Sequence, residues 1–129
     1  MKKPTVSSLK KKCDTVFSQY VRRKGGKVYT RCYTCRVRKK WKELQCGHFI
    51  SRGYNSVRYD EMNTRPQCVG CNMFQHGKHP EFALKLLEEY GEAEFKKLLK
   101  RGKETHQFTI KELQGIKEYY EDKLKELDE

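Results

Sequence analysis

Two cysteine pairs constrain this chain more than any other feature. Cys32 and Cys35 form one CxxC, Cys68 and Cys71 a second, and 32 residues separate Cys35 from Cys68. Two such knuckles can close one tetrahedral Zn²⁺ site, drawing distant segments together. The gap exceeds that of a simple zinc ribbon, so the insert is expected to carry function. It contains Cys46-Gly47-His48-Phe49, and Asn72 directly follows the last cysteine. A closed four-sulfur site has no open position for water. The zinc is therefore expected to be structural, with any chemistry in the insert and just after Cys71.

The need for a staple follows from composition. The chain has 129 residues, 36% of them charged, and a mean hydropathy of −1.00. Such a chain builds one domain with a small core, and small cores usually require a metal or disulfides. Charge is uneven. Residues 1–60 carry 17 Lys and Arg against 3 Asp and Glu, a net of +14, and residues 61–129 carry 12 against 14. A basic half of this kind suits a polyanion, foremost nucleic acid. No stretch is long and apolar enough for a membrane span, and Met1-Lys2-Lys3-Pro4 has no apolar run behind it to read as a secretory signal. A reducing cytoplasm is expected, where CxxC pairs favour metal over disulfide. Two pairs without a βαβ pattern also argue against a thioredoxin-like redox motif.

The patterning predicts an α+β chain in three stretches. Residues 1–26 read as a basic tail and a helix, capped by Ser7 or Ser8, with Leu9, Cys13, Val16, Phe17, Tyr20 and Val21 as its apolar stripe. Cys13 belongs to that stripe and is expected in the core. Residues 27–79 hold the knuckles, with short strands at 27–31 and 44–50, a basic turn at 36–42, a return segment at 58–62 and a short helix at 71–76. Residues 80–129 form a helical extension, with helices at 80–90 and 92–100 ended by Gly91 and Gly102. Thr109 and Glu112 then make a capping box for a charged terminal helix. The apolar stripe of that helix suits either packing on the domain or a homodimer.

Phosphodiester hydrolysis needs a base for water, a cation for the developing charge and a grip on the backbone. His48 suits the base, since neutral imidazole accepts a proton near pH 7. Asn72 offers a carbonyl oxygen to a hard cation such as Mg²⁺. His76, four residues on, would share its face on a helix. Asp60, beside Glu61, is the nearest acid in the insert and a candidate further ligand. Blander roles are open for each: His48 at the surface or behind the zinc, Asn72 as a cap, His76 and His79 in solvent, Asp60 paired with Arg58 or Arg52. Cys46 has no partner pair and reads as structural.

These residues in this order resemble the NinG (Rap) recombination nucleases of lambdoid and related phages. The resemblance rests on Cys32-x-x-Cys35, Cys46-Gly47-His48-Phe49-Ile50-Ser51-Arg52, Arg58-Tyr59-Asp60-Glu61-Met62-Asn63 and Gln67-Cys68-x-x-Cys71-Asn72. It covers roughly residues 9–127. More broadly the chain looks like the HNH, or ββα-metal, nucleases, and like the phage endonuclease VII type with its zinc cysteines. The resemblance implies a zinc-stapled, treble-clef-related ββα-metal core. It assigns His48 as general base, Asn63 as the residue that fixes the loop and Asn72 as cation ligand. Many HNH enzymes place an Asp or His directly before the base; here that position is Gly47, so the remaining Mg²⁺ or Mn²⁺ ligands must come from elsewhere, with Asp60 and His76 as candidates.

The function expected is a metal-dependent endonuclease. The resemblance implies branched substrates such as D-loops and Holliday junctions, in the cytoplasm of a bacterial host. Arg36, Arg38, Lys39, Lys40, Arg52 and Arg58 are expected on phosphates, and Tyr54 and Trp41 on unpaired bases. The alternative is a zinc-knuckle DNA- or RNA-binding module without chemistry.

Overall fold

A capping box at Thr5 starts the first helix. In the computed structural model, which describes residues 3–129, the Thr5 hydroxyl accepts from the Ser8 N–H and the Ser8 hydroxyl accepts from the Thr5 N–H. The cap is thus Thr5 rather than Ser7 or Ser8, because reciprocal bonding satisfies two groups at the helix start. The first two positions of the expected basic tail lie outside the described residues. Helix α1 (Val6–Arg23) buries Leu9, Cys13, Phe17 and Val21.

Beyond α1 come two antiparallel hairpins. Strands β1 (Tyr29–Arg31) and β2 (Arg38–Lys40) pair with Arg31 opposite Arg38. Strands β3 (Leu44–His48) and β4 (Thr64–Cys68) pair with Gly47 opposite Arg65 and His48 opposite Thr64. Residues 49–63 loop out between β3 and β4 through two 3₁₀ turns, Asn55–Val57 and Glu61–Asn63. The return segment expected at 58–62 leads through the second of these turns into β4.

The short helix expected at 71–76 is present as a single wide π-helical turn, Gly70–Phe74, closed by a bond from the Gln75 N–H to the Gly70 carbonyl at 2.9 Å. The Cys71 N–H points at the Cys68 sulfur, 3.4 Å away, instead of at a helical carbonyl. Gly77, at φ +85°, then turns the chain into α2 (His79–Gly102). Helix α2 is broken at Gly91 (φ +84°), so the two helices expected on either side of that glycine meet at a kink. Phe82 and Leu86 before the kink, and Phe95 and Leu98 after it, close over Val57 with Phe49 and Ile50 alongside. This cluster fixes the β3–β4 loop from outside.

Helix α3 (Ile110–Leu127), capped by Thr109, returns to α1. Leu113 packs with Leu9 and Cys13, and Tyr120 with Phe17 and Val21, so the two helices run parallel. The Cys13 thiol donates to the Leu113 carbonyl at 3.2 Å. A parallel pair needs a long connection, and here the knuckles and α2 supply it. The terminal stripe thus packs on this chain's own first helix.

Two polar latches hold the helices to the hairpins. The Arg65 guanidinium, 9% exposed, pairs with Glu89 at 2.6 Å, contacts the Tyr90 hydroxyl and lies over the Tyr33 ring. Glu61 accepts from the Tyr120 hydroxyl at 3.0 Å and pairs with Lys24. No helix among the described residues is long and apolar enough to cross a membrane.

Candidate metal centre and active-site cleft

The two knuckles meet. The sulfurs of Cys32, Cys35, Cys68 and Cys71 all lie within 4.8 Å of one another, and those of Cys35 and Cys68 are 3.7 Å apart. Ligands ~2.3 Å from a tetrahedral zinc stand ~3.8 Å from each other. The donor set and spacing fit, and these four cysteines could hold a zinc ion. Each knuckle aims a backbone N–H at its first sulfur, Cys35 at Cys32 and Cys71 at Cys68. Burial resists ionisation of Cys32, but the Cys35 N–H and the Thr34 hydroxyl outweigh it and bring that thiol down to about 6.

Beside the knuckles a cleft of about 740 Å³ opens between α1, β3 and the turn after β4. His48, at the end of β3, lines it with Asn72, His76, His79, Asp14 and Arg52. The His48 Nε2 lies 3.0 Å from the Arg58 carbonyl. A carbonyl only accepts, so a neutral His48 carries its proton on Nε2 and keeps its lone pair on Nδ1. Burial lowers the His48 pKa below the ordinary histidine value; the Arg52 and Arg58 charges add to this, while the Arg58 carbonyl and Asp14 oppose it. His48 is thus held in the proton-accepting form.

Asn72 donates its side-chain N–H to the Gln45 carbonyl oxygen at 2.8 Å. That bond orients the amide and leaves the Asn72 carbonyl oxygen as an available ligand. Cys46 also lines the cleft, but burial pushes its thiol up to about 12, which disfavours the nucleophilic thiolate.

Several expected residues are placed elsewhere. Asp60 does not reach the cleft: one carboxylate oxygen caps the turn at the Met62 N–H, 3.0 Å away, and the other pairs with Arg101 at 2.9 Å. Arg58, expected on phosphates, is instead engaged within the chain. Its guanidinium grips Asp14 at 2.5 and 2.9 Å and donates to the Arg52 carbonyl. Asn63 is fully buried and lies outside the cleft lining. Its amide accepts from the Ile50 N–H and donates to the Ile50 and Val57 carbonyls, closing the neck of the loop. Asn63→Ala leaves those buried groups without partners. The expected cost is ~3 kcal/mol, read from urea unfolding of the zinc-loaded protein; an unchanged midpoint would show that the neck closes without the amide.

The basic hairpin behaves otherwise. Arg36, Arg38 and Lys40 are exposed, Lys39 is half-buried, and none of the four forms an ion pair among the described residues. Arg52 is exposed at the cleft mouth, 3.9 Å from Asp14. Trp41 is held between cations, its ring 5.2 Å from the Arg22 guanidinium and 5.4 Å from that of Arg23. Tyr54 is exposed on a different surface, beside Ile50 and Leu99.

A family model described as "Bacteriophage Lambda NinG protein" matches residues 2–129, which takes in both knuckles and the whole cleft. The chain belongs to the NinG family. Among curated relatives, "Protein ninG" of Salmonella phage P22 is 35% identical over 86 residues. "Protein ninG" of Escherichia phage 933W and of Escherichia phage lambda are each 31% identical over the same length. Those matches cover 66% of this chain and 42% of each relative, so the chain spans less than half the length of the NinG proteins it matches. No solved structure matches.

Three residues of this NinG chain take roles that their sequence positions do not assign. Asp14, on the polar side of α1, clamps Arg58 and so steadies the carbonyl that holds His48. Burial disfavours its charge, but hydrogen bonds from Arg58 and Tyr59 outweigh this and keep the carboxyl below its usual range. His79, for which the sequence leaves a solvent-facing role open, lines the cleft with the candidate ligand His76. Gln67, fully buried, donates to the Thr34 hydroxyl at 3.1 Å and the Gly77 carbonyl at 2.9 Å, joining one knuckle to the turn that carries His76 and His79. It also accounts for Gly47: a Cβ there would stand 2.0 Å from the Gln67 side-chain oxygen. Strand register and helix packing together bring these residues to one cleft, and no spacing in the sequence signals it.

Proposed function

We propose that this NinG-family chain is a divalent-cation-dependent endonuclease for branched DNA such as D-loops and Holliday junctions. The observation that carries this reading is His48, neutral and fixed through Nε2 at the edge of a cleft that also holds Asn72, His76 and His79. The β3–loop–β4 hairpin followed by the Asn72 turn supports the likeness to the HNH nucleases. In the proposed reaction His48 Nδ1 accepts a proton from water, whose oxygen attacks phosphorus as the 3′ oxygen departs. Products are a 5′-phosphate and a 3′-hydroxyl. Mg²⁺ or Mn²⁺ supplies charge stabilisation at the leaving oxygen when bound. Asn72 and His76 are its proposed ligands, and the four-cysteine zinc has a structural role only.

The test is nicking of a labelled Holliday junction, a D-loop and a linear duplex by the zinc-loaded chain, with Mg²⁺ or Mn²⁺ titrated in. Cation-dependent cleavage of branched DNA is expected, and its absence at every cation concentration would sink the proposal. The His48 environment sets a pH dependence. Only the neutral form accepts a proton, and a lowered pKa keeps it neutral further into acid. The acid limb of the rate profile should therefore fall below the ordinary histidine value of ~6.5. A limb above that value would assign the base to another group.

A second reading, a zinc-knuckle DNA- or RNA-binding module, draws on the unpaired cations of the basic hairpin. Both readings require phosphate contact there. Replacing Lys39 and Lys40 by alanine should flatten the slope of log affinity against log salt by up to ~2. An unaltered slope would place the backbone elsewhere.

A further inference from the structure

Beside the cleft residue Asn72 the chain carries an apolar projection that the proposed chemistry does not use. Met73 and Phe74 follow Asn72 directly, and Phe74 is the most exposed large hydrophobic side chain among the described residues, at 77%, with Met73 at 58%. They do not sit on a loose loop. The Gly70–Phe74 turn is closed by the Gln75-to-Gly70 bond, and its Cys71 belongs to the four-sulfur cluster. Gln45 ties it to β3 twice, accepting from the Asn72 amide and donating to the Met73 sulfur at 3.4 Å. Asn72 and His76, on either side of Phe74 in sequence, both line the cleft.

A ring held rigid beside a cleft, with a second apolar side chain next to it, is placed to meet a partner. A protein partner is poorly served, since stable protein interfaces bury ~800 Å² per side while one Phe contributes only ~150–250 Å². His76 and Lys78 flank the projection and Arg52 stands at the cleft mouth, so the surroundings suit a polyanion. Apolar wedges of this kind enter base steps and unstack them, and the unstacking is cheapest where bases are already unpaired.

We propose that Phe74, supported by Met73, inserts into or stacks on a base step beside the scissile phosphate and thereby selects DNA with unstacked bases. This rests on the nuclease reading above. The wedge is placed by the same turn that presents Asn72, so a step opened by Phe74 sits at a fixed offset from the bond to be cut.

The experiment uses the full zinc-loaded chain carrying His48→Ala, so that DNA is bound without being cut. 2-Aminopurine is placed in turn at each position around the crossover of a Holliday junction and at matching positions of a linear duplex. A several-fold fluorescence rise at one or two junction positions is expected, and adding Phe74→Ala should abolish it. That change should weaken junction binding about tenfold while leaving linear duplex binding and zinc content unaltered. Phe74→Trp should keep the rise. The wedge is overturned if Phe74→Ala leaves the fluorescence pattern intact, or weakens junction and duplex equally. It is also overturned if Phe74→Ala instead turns a dimer into a monomer in sedimentation. Failure of the His48→Ala chain to bind any DNA would remove the nuclease reading, and the wedge with it; a missing rise in a chain that binds junctions removes the wedge alone.

Discussion

His48→Ala should abolish cleavage of branched DNA while the protein stays folded, keeps its zinc and binds DNA. A general base contributes ~10²–10⁴-fold, so the loss should fall in that range. The imidazole makes one hydrogen bond, to the Arg58 carbonyl, and takes no part in the four-sulfur cluster. Removing it therefore leaves the staple and the basic hairpin intact. Asn72→Ala should also lose cleavage, but by a different route. Its carbonyl oxygen is proposed to hold the cation, and weakened affinity can be offset by concentration. Raised Mn²⁺ should partly restore Asn72→Ala and leave His48→Ala inactive, since no cation replaces a lost proton acceptor. Asp14→Asn offers an intermediate case. It removes the charge that grips Arg58, and activity should fall through misplacement of His48, without a change in cation requirement. Full activity of His48→Ala on a Holliday junction would end the mechanism and favour the binding-module reading.

Cys68→Ser should cost the fold itself. The apolar packing is split into separate clusters, one around Val57 and others between α1 and α3. The four-sulfur cluster joins the β1–β2 hairpin to β4 and the turn after it. Structural zinc in small domains contributes ~10–16 kcal/mol of folding free energy at neutral pH, more than the usual stability of a whole domain. Elemental analysis should give one zinc per wild-type chain and none for Cys68→Ser, whose circular dichroism should lose its cooperative transition. Acid should act in the same direction, since protons compete with zinc for the thiolates. A cooperatively folded Cys68→Ser without zinc would show that apolar packing alone suffices.

The readable parts of the fold were those governed by local rules. The α1 stripe follows helical spacing, and Cys13 sits in it as its position suggests. Thr109 caps α3, and Gly91 interrupts α2. The local expectations that fail do so where a tertiary partner competes with the backbone. The helix after Cys68 forms as one wide π-helical turn and stops short of His76, with sulfur taking the Cys71 N–H and Gly77 adopting a positive φ. Asp60 looks available in sequence, yet Arg101, 41 residues away, claims it. Arg58 looks like a phosphate contact, yet its charge is matched by Asp14 on α1.

The sequence by itself determined the four cysteines, the basic first half, and the family to which the chain belongs. Each is a matter of residue identity and spacing, which no packing can alter. Only the tertiary structure decided the direction in which α3 meets α1, the membership of Asp14 and His79 in the cleft, and the reason Gly47 lacks a side chain. Those depend on strand register and on helix contacts between residues up to 105 positions apart, such as Arg23 with Asp128. A hydrogen bond or a close approach of that kind is set by where the backbone arrives in space, and sequence spacing carries no record of it.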